Sequence, residues 1–155
     1  MAEQNEYLKK FKQECRSYEF YQGRIEKIDQ KIHLLDLRMQ NVQSPALEKI
    51  GQTPTKHELS YPELITKKEK LLKDKAYYQE HLDWITDTIN AIPSAAYRSV
   101  TWMTYVERKS LHEISECQAL SKDMLYKKRK KFISYVLTDE RMQKLEAIEK
   151  TEEES

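Results

Sequence analysis

Apolar side chains recur at every third or fourth residue over long stretches of this chain, and that period admits helices and little else. Leu8, Phe11, Cys15 and Tyr18 are spaced 3, 4, 3; Tyr18, Tyr21, Ile25, Ile28, Ile32, Leu35 and Met39 then alternate 3 and 4. Such spacing keeps one stripe on one face of an α-helix, whereas a half-buried strand needs strict alternation. The phase slips near Tyr18 to Tyr21, a break in an otherwise heptad-like coiled-coil pattern. Gly23 sits mid-pattern and costs about 1 kcal/mol relative to alanine, too little to end so long a stripe. The expectation is a helix roughly 50 Å long from Leu8 to Met39.

Between residues 41 and 60 the period is lost, and Pro45, Gly51 and Pro54 mark a loop. Ser60-Tyr61-Pro62-Glu63 restarts a helix: a serine cap, a proline in the first turn and a glutamate three residues after the cap. A second stripe follows through Leu64, Leu71, Lys75, Tyr78, Leu82, Ile85, Ile89 and Ile92, with Lys75 its one polar interruption. Two long amphipathic helices joined by a loop fold back as an antiparallel hairpin, each hiding the other's stripe. A hairpin hides little area, so dimerisation through the remaining apolar surface is expected.

Composition narrows the function classes. Of 155 residues only 2 are glycine and 4 are proline, while 34% are charged. Phosphate-cradling loops, dinucleotide folds and multi-hairpin sheets need glycine where φ is positive or where backbone approaches a ligand. No apolar run approaches the roughly 18 to 20 residues of a membrane span, and MAEQNEYLKKFKQ lacks the apolar core of a signal peptide. Cys15 and Cys117 lie far apart in no metal or redox spacing and read as small apolar residues. The four histidines, His33, His57, His81 and His112, are scattered, and His112-Glu113 lacks the second histidine of a zincin helix. The expectation is a non-enzymatic all-α protein of the cytoplasm, with no cofactor and no metal.

The formal net charge of +1 hides an uneven distribution. Residues 94–135 hold nine Lys/Arg against four Asp/Glu, a net of +5, and residues 136–155 hold three against seven, a net of −4. Residues 1–93 balance at fifteen of each sign. A basic segment beside an acidic one suggests a polyanionic partner that the average conceals.

Pro93-Ser94 opens that basic segment, with Ser94 capping a helix from Ala95 to about Glu107. Ser110-Leu111-His112-Glu113 is a second capping box, starting a short helix with Leu111, Ile114 and Cys117. Ser121 caps a third helix, Lys122 to about Leu137, seated by Leu125, Phe132, Ile133 and Val136. The elements fit a helix-turn-helix. Ser115 is the small residue at the crossing, Leu120 plugs the angle between helices, and Leu125 seats the second helix. Ala119 stands where glycine is common and Gln118 where an apolar residue is usual.

The third helix offers Ser121, Lys122, Asp123, Tyr126 and Lys127 to base edges and adjacent phosphates, and Arg129, Lys130 and Lys131 mostly to phosphates. A run such as KKRKK alone is usually a solvated face; the caps, small residue and plug leucine around it point to duplex DNA. The segment after Thr138 carries a weak stripe (Met142, Leu145, Ile148) and reads as a solvated acidic tail.

The stretch from Tyr97 to Ile133, YRSVTWMTYVERKSLHEISECQALSKDMLYKKRKKFI, is similar to the helix-turn-helix of sigma-factor region 4. With the long helical part before it, the chain resembles phage late-gene transcription regulators of the ArpU/RinA type. Arg98, Tyr105, Ser110, Leu111, Glu113, Ile114, Leu120, Ser121, Leu125, Tyr126, Arg129 and Lys130 match their pattern. The resemblance implies a cytoplasmic bacterial or prophage protein that binds promoter DNA and activates late genes with host RNA polymerase.

The sequence therefore leads to a helical hairpin scaffold over residues 1–93, a helix-turn-helix over 94–137 and an acidic tail over 138–155, acting on duplex DNA as a homodimer. Two other readings stand beside it. A small terminase subunit also joins a helix-turn-helix to long helices, and forms rings. A helical adaptor or anti-repressor would bind a host protein without DNA.

Overall fold

A computed structural model describes residues 2–43 and 59–154, and every regular element among them is helical. In chain order these are α1 (Ala2–Arg16), α2 (Tyr18–Gln43), α3 (Tyr61–Asn90), α4 (Ala95–Thr101) continued by a π-helical turn (Trp102–Val106), α5 (Leu111–Gln118), α6 (Lys122–Val136) and α7 (Asp139–Glu154). The fold class is all-α, as the periodicity requires. Of the loop expected over residues 41–60, residues 41–43 belong to α2, and residues 44–58, with Pro45, Gly51 and Pro54, lie outside the described residues.

The expected single helix from Leu8 to Met39 is two. It breaks at Ser17, where the apolar stripe changes phase. There the Ser17 N–H is shared between the Gln13 and Glu14 carbonyls at 3.2 and 3.1 Å, and its hydroxyl donates to Gln13 O at 3.1 Å. A hydroxyl that occupies a helix carbonyl bends the helix. No break occurs at Gly23, which lies within α2.

The described chain divides into two compact units, residues 22–78 and residues 1–21 with 79–155. In the smaller unit Asp29 pairs with Lys75 and Asp36 with Lys68, both at 2.7 Å. Seven residues forward on α2 is seven residues backward on α3, so the two helices run antiparallel. Lys75, the polar interruption of the stripe, is thereby explained: it reaches an aspartate across the helix pair. Ile28, Leu35 and Leu64 are buried, while Leu34, Leu37 and Leu72 remain 58, 43 and 46% exposed.

The larger unit does not follow the expected boundary between residues 93 and 94. Phe11 and Cys15 of α1 and Trp84, Ile85, Ile89 and Ile92 of α3 are buried in it together with Val100, Ile114, Leu125, Ile133 and Val136. Phe11 meets the edge of Tyr105 at 5.5 Å and lies 6.2 Å from Trp84. The acidic C-terminal segment, expected to be solvated, is the helix α7. Thr138 caps it, Met142 and Leu145 are buried, and Trp84 Nε1–H donates to Arg141 O at 2.8 Å. A stripe as sparse as Met142 and Leu145 suffices because α1 and α3 supply the other side of the core.

One polar cluster is buried in this unit. Glu14 Oε2 lies 2.6 Å from His81 Nδ1, the Tyr21 hydroxyl donates to Glu14 Oε1 at 3.0 Å, and the Tyr21 and His81 rings stack at 4.6 Å. The neighbouring Cys15 thiol is pushed far up by burial and, to a lesser extent, by the Glu14 charge, so it stays protonated and inert.

Candidate nucleic-acid interface

The candidate interface lies on α4, α5 and α6, each opened by a serine whose hydroxyl accepts from the backbone N–H three residues on. Ser94 accepts from Tyr97 at 3.3 Å, Ser110 from Glu113 at 3.2 Å and Ser121 from Met124 at 3.2 Å. Each bond satisfies a donor that has no partner within its helix, typically worth about 1 kcal/mol.

Where a continuous helix to Glu107 is expected, the chain widens into the π turn after Thr101. Thr101 and Thr104 donate their hydroxyls to the carbonyls four residues back, Tyr97 O and Val100 O, both at 2.7 Å. The extra residue in the turn sets Tyr105 against Phe11 and Trp102 against Tyr18, 5.0 Å apart. π turns of this kind are frequent at functional sites.

α5 passes to α6 in a three-residue turn held by Ser115. Its hydroxyl donates to Leu120 O at 2.5 Å, and its carbonyl accepts from Leu120 N–H at 3.3 Å. Ala119 adopts the left-handed conformation, φ 53° and ψ 39°, at the position where the sequence lacks its usual glycine. Gln118, the other departure, turns its amide to the Met103 thioether at 3.9 Å. The left-handed conformation costs a residue with a Cβ about 1–2 kcal/mol, of which glycine's freer unfolded state would offset about 0.4–1 kcal/mol. Ala119→Gly is therefore expected to stabilise the protein by about 0.5–1 kcal/mol, read as a higher urea midpoint at unchanged slope; a lower midpoint would contradict this turn geometry.

α6 is seated by Leu125, Ile133 and Val136, the first two fully buried. Tyr97 stacks on Phe132 at 4.8 Å and donates its hydroxyl to Met124 O at 3.3 Å. The opposite face is in solvent. Lys122, Asp123, Lys127, Lys130 and Lys131 are exposed, and Tyr126 is 72% exposed. At 100° per residue, Asp123, Lys127, Lys130 and Lys131 fall together on the side away from Leu125.

Ser121 is exposed and caps α6 as expected, its hydroxyl accepting from Met124 N–H. One expected phosphate contact is placed differently. Arg129 is half-buried and lies beside the Tyr105 hydroxyl, where its charge opposes the rise that burial imposes on that phenol. Lys12 of α1, which the spacing does not assign to this region, brings its ammonium to 5.9 Å from the Tyr105 ring centroid. Nothing in local spacing pairs residues of α1 with residues of α6.

Among the described residues no group of three or more His, Cys, Asp or Glu side chains is placed to hold a metal ion. His81 takes Glu14 as its carboxylate partner, and His112 meets Glu116 at 3.0 Å on the exposed face of α5. Among the described residues no helix is long and apolar enough to cross a membrane. Compared with protein-family models, curated proteins and solved structures, the chain matches none.

Proposed function

We propose that this protein is a non-enzymatic, sequence-specific DNA-binding transcription regulator that reads duplex DNA with α6. The observation that carries the reading is the two-sidedness of that helix. A fully buried Leu125 and Ile133 fix it on one side, and Lys127, Lys130 and Lys131 stand free in solvent on the other. The reading is supported too by the capped N-terminus of α6, whose partial positive charge suits a phosphate. Activation of phage or prophage late genes with host RNA polymerase, in the bacterial cytoplasm, follows from the resemblance to sigma region 4 and to the ArpU/RinA regulators. The test is a mobility shift comparing the natural protein with Lys127→Ala/Lys130→Ala; equal retardation by both would sink the assignment.

The exposed Leu34, Leu37 and Leu72 of the smaller unit support a homodimer formed there. Light scattering is expected to give twice the chain mass of 18.6 kDa. A ring of about eight or more subunits would favour a packaging protein instead, since closed cyclic assembly uses a head-to-tail contact rather than a two-fold one.

A further inference from the structure

α1 has two long edges on either side of its buried Phe11 and Cys15. Along one, the Tyr7 hydroxyl donates to Asp139 at 2.7 Å and Lys10 stands 3.9 Å from Glu146, so this edge meets the acidic helix α7. Along the other, Lys9, Lys12 and Arg16 recur at steps of three and four, which places them within about 60° of one another. Lys9 and Arg16 are exposed, and Lys12 lies over the Tyr105 ring. Arg129 of α6 lies by the hydroxyl of the same tyrosine. One aromatic ring thus joins the cations of α1 to those of α6, with both helices in the same compact unit.

We infer that the Lys9–Lys12–Arg16 edge is a second phosphate-binding ridge, so that a duplex lying on α6 is gripped by α1 as well. The inference rests on the DNA-binding reading proposed above. Lys12 and Arg129 approach the same tyrosine from two helices, and like charges gathered at one residue repel. A polyanion relieves that repulsion and releases its own counterions in doing so. The even balance of charge over residues 1–93 conceals the ridge, because it averages α1 with the rest of the segment and counts the buried Glu14 against exposed cations.

The test is the salt dependence of binding by the full chain to a labelled mixed-sequence duplex of about 30 base pairs, followed by fluorescence anisotropy. Each phosphate contact contributes about 0.9 to the slope of log affinity against log salt. Lys9→Gln/Arg16→Gln, both at exposed positions, is expected to reduce the slope by about 2, and adding Lys12→Gln by about 3. Lys10→Gln, on the α7 edge, is expected to leave it unchanged, and circular-dichroism melts of the exposed-site variants should match the natural protein. An unchanged slope in Lys9→Gln/Arg16→Gln, with a reduced slope in Lys127→Gln/Lys130→Gln, would overturn the ridge and leave the DNA-binding reading standing. No salt-sensitive binding by the natural protein, or equal binding by the Lys127→Gln/Lys130→Gln variant, would overturn both.

Discussion

Replacing Glu14 by alanine is expected to cost about 3–5 kcal/mol of unfolding free energy, since two hydrogen bonds to one buried carboxylate are lost at about 1.5–3 kcal/mol each. Glu14 and His81 are 8% and 2% exposed and touch at 2.6 Å, sixty-seven residues apart in sequence. Their contact fastens α1 to α3. Removing the carboxylate leaves His81 in the core without its acceptor and strips the Tyr21 hydroxyl of its bond as well. Tyr21→Phe removes the hydroxyl and its bond to Glu14 and is expected to cost about 1.5–3 kcal/mol, the range for a bond to a charged group. Urea unfolding checks both. The cluster behaves as a unit, so Glu14→Met/His81→Phe should lose less than its two single variants summed, because the two polar partners that face each other are removed together. Strictly additive losses, or a Glu14→Ala cost below about 1 kcal/mol, would contradict the account of this core.

Lys127→Ala/Lys130→Ala is expected to weaken duplex binding about a hundredfold at 0.1 M salt, since each released counterion contributes about one decade there. The side chains are exposed on the face opposite the buried Leu125, so the loss should come without a loss of stability. It should also be uniform across sequences, because lysine contacts to phosphate position a protein without reading bases. Asp123 and Tyr126 lie at the N-terminal end of α6, where base edges are reached, and their substitution is expected to alter sequence preference instead. Arg129→Ala differs again. Its guanidinium sits by Tyr105, and its removal disturbs the junction of α1 with α6 along with the phosphate field.

The parts of the fold visible in the sequence are those whose physics is local. Ser60, Ser94, Ser110 and Ser121 each cap the helix their spacing marks, because a cap needs only a hydroxyl and an N–H three residues away. The break at Ser17 shows in the sequence as a slip of the stripe, though not as a helix end. Residues whose roles depend on distant partners were illegible. Lys75 looks like a flaw until Asp29 is opposite it, and His81 looks solitary until α1 brings Glu14 to it. The stripe of α7 is too sparse to announce burial, and Thr138 caps it without a signal strong enough to read beforehand. At the candidate interface the exposed lysines of α6 follow from helical periodicity alone. The diversion of Arg129 to Tyr105 and the cationic edge of α1 do not, because both depend on how α1 packs against the π turn and α6.

Footprinting on the DNA that flanks this protein's own coding sequence tests the central claim most directly. The account predicts discrete protected sites, lost on raising salt and lost in Lys127→Ala/Lys130→Ala, with half-sites about 10 base pairs apart for a two-fold dimer. Uniform cleavage at low salt, with no protected site and no difference between the natural protein and the variant, would contradict it.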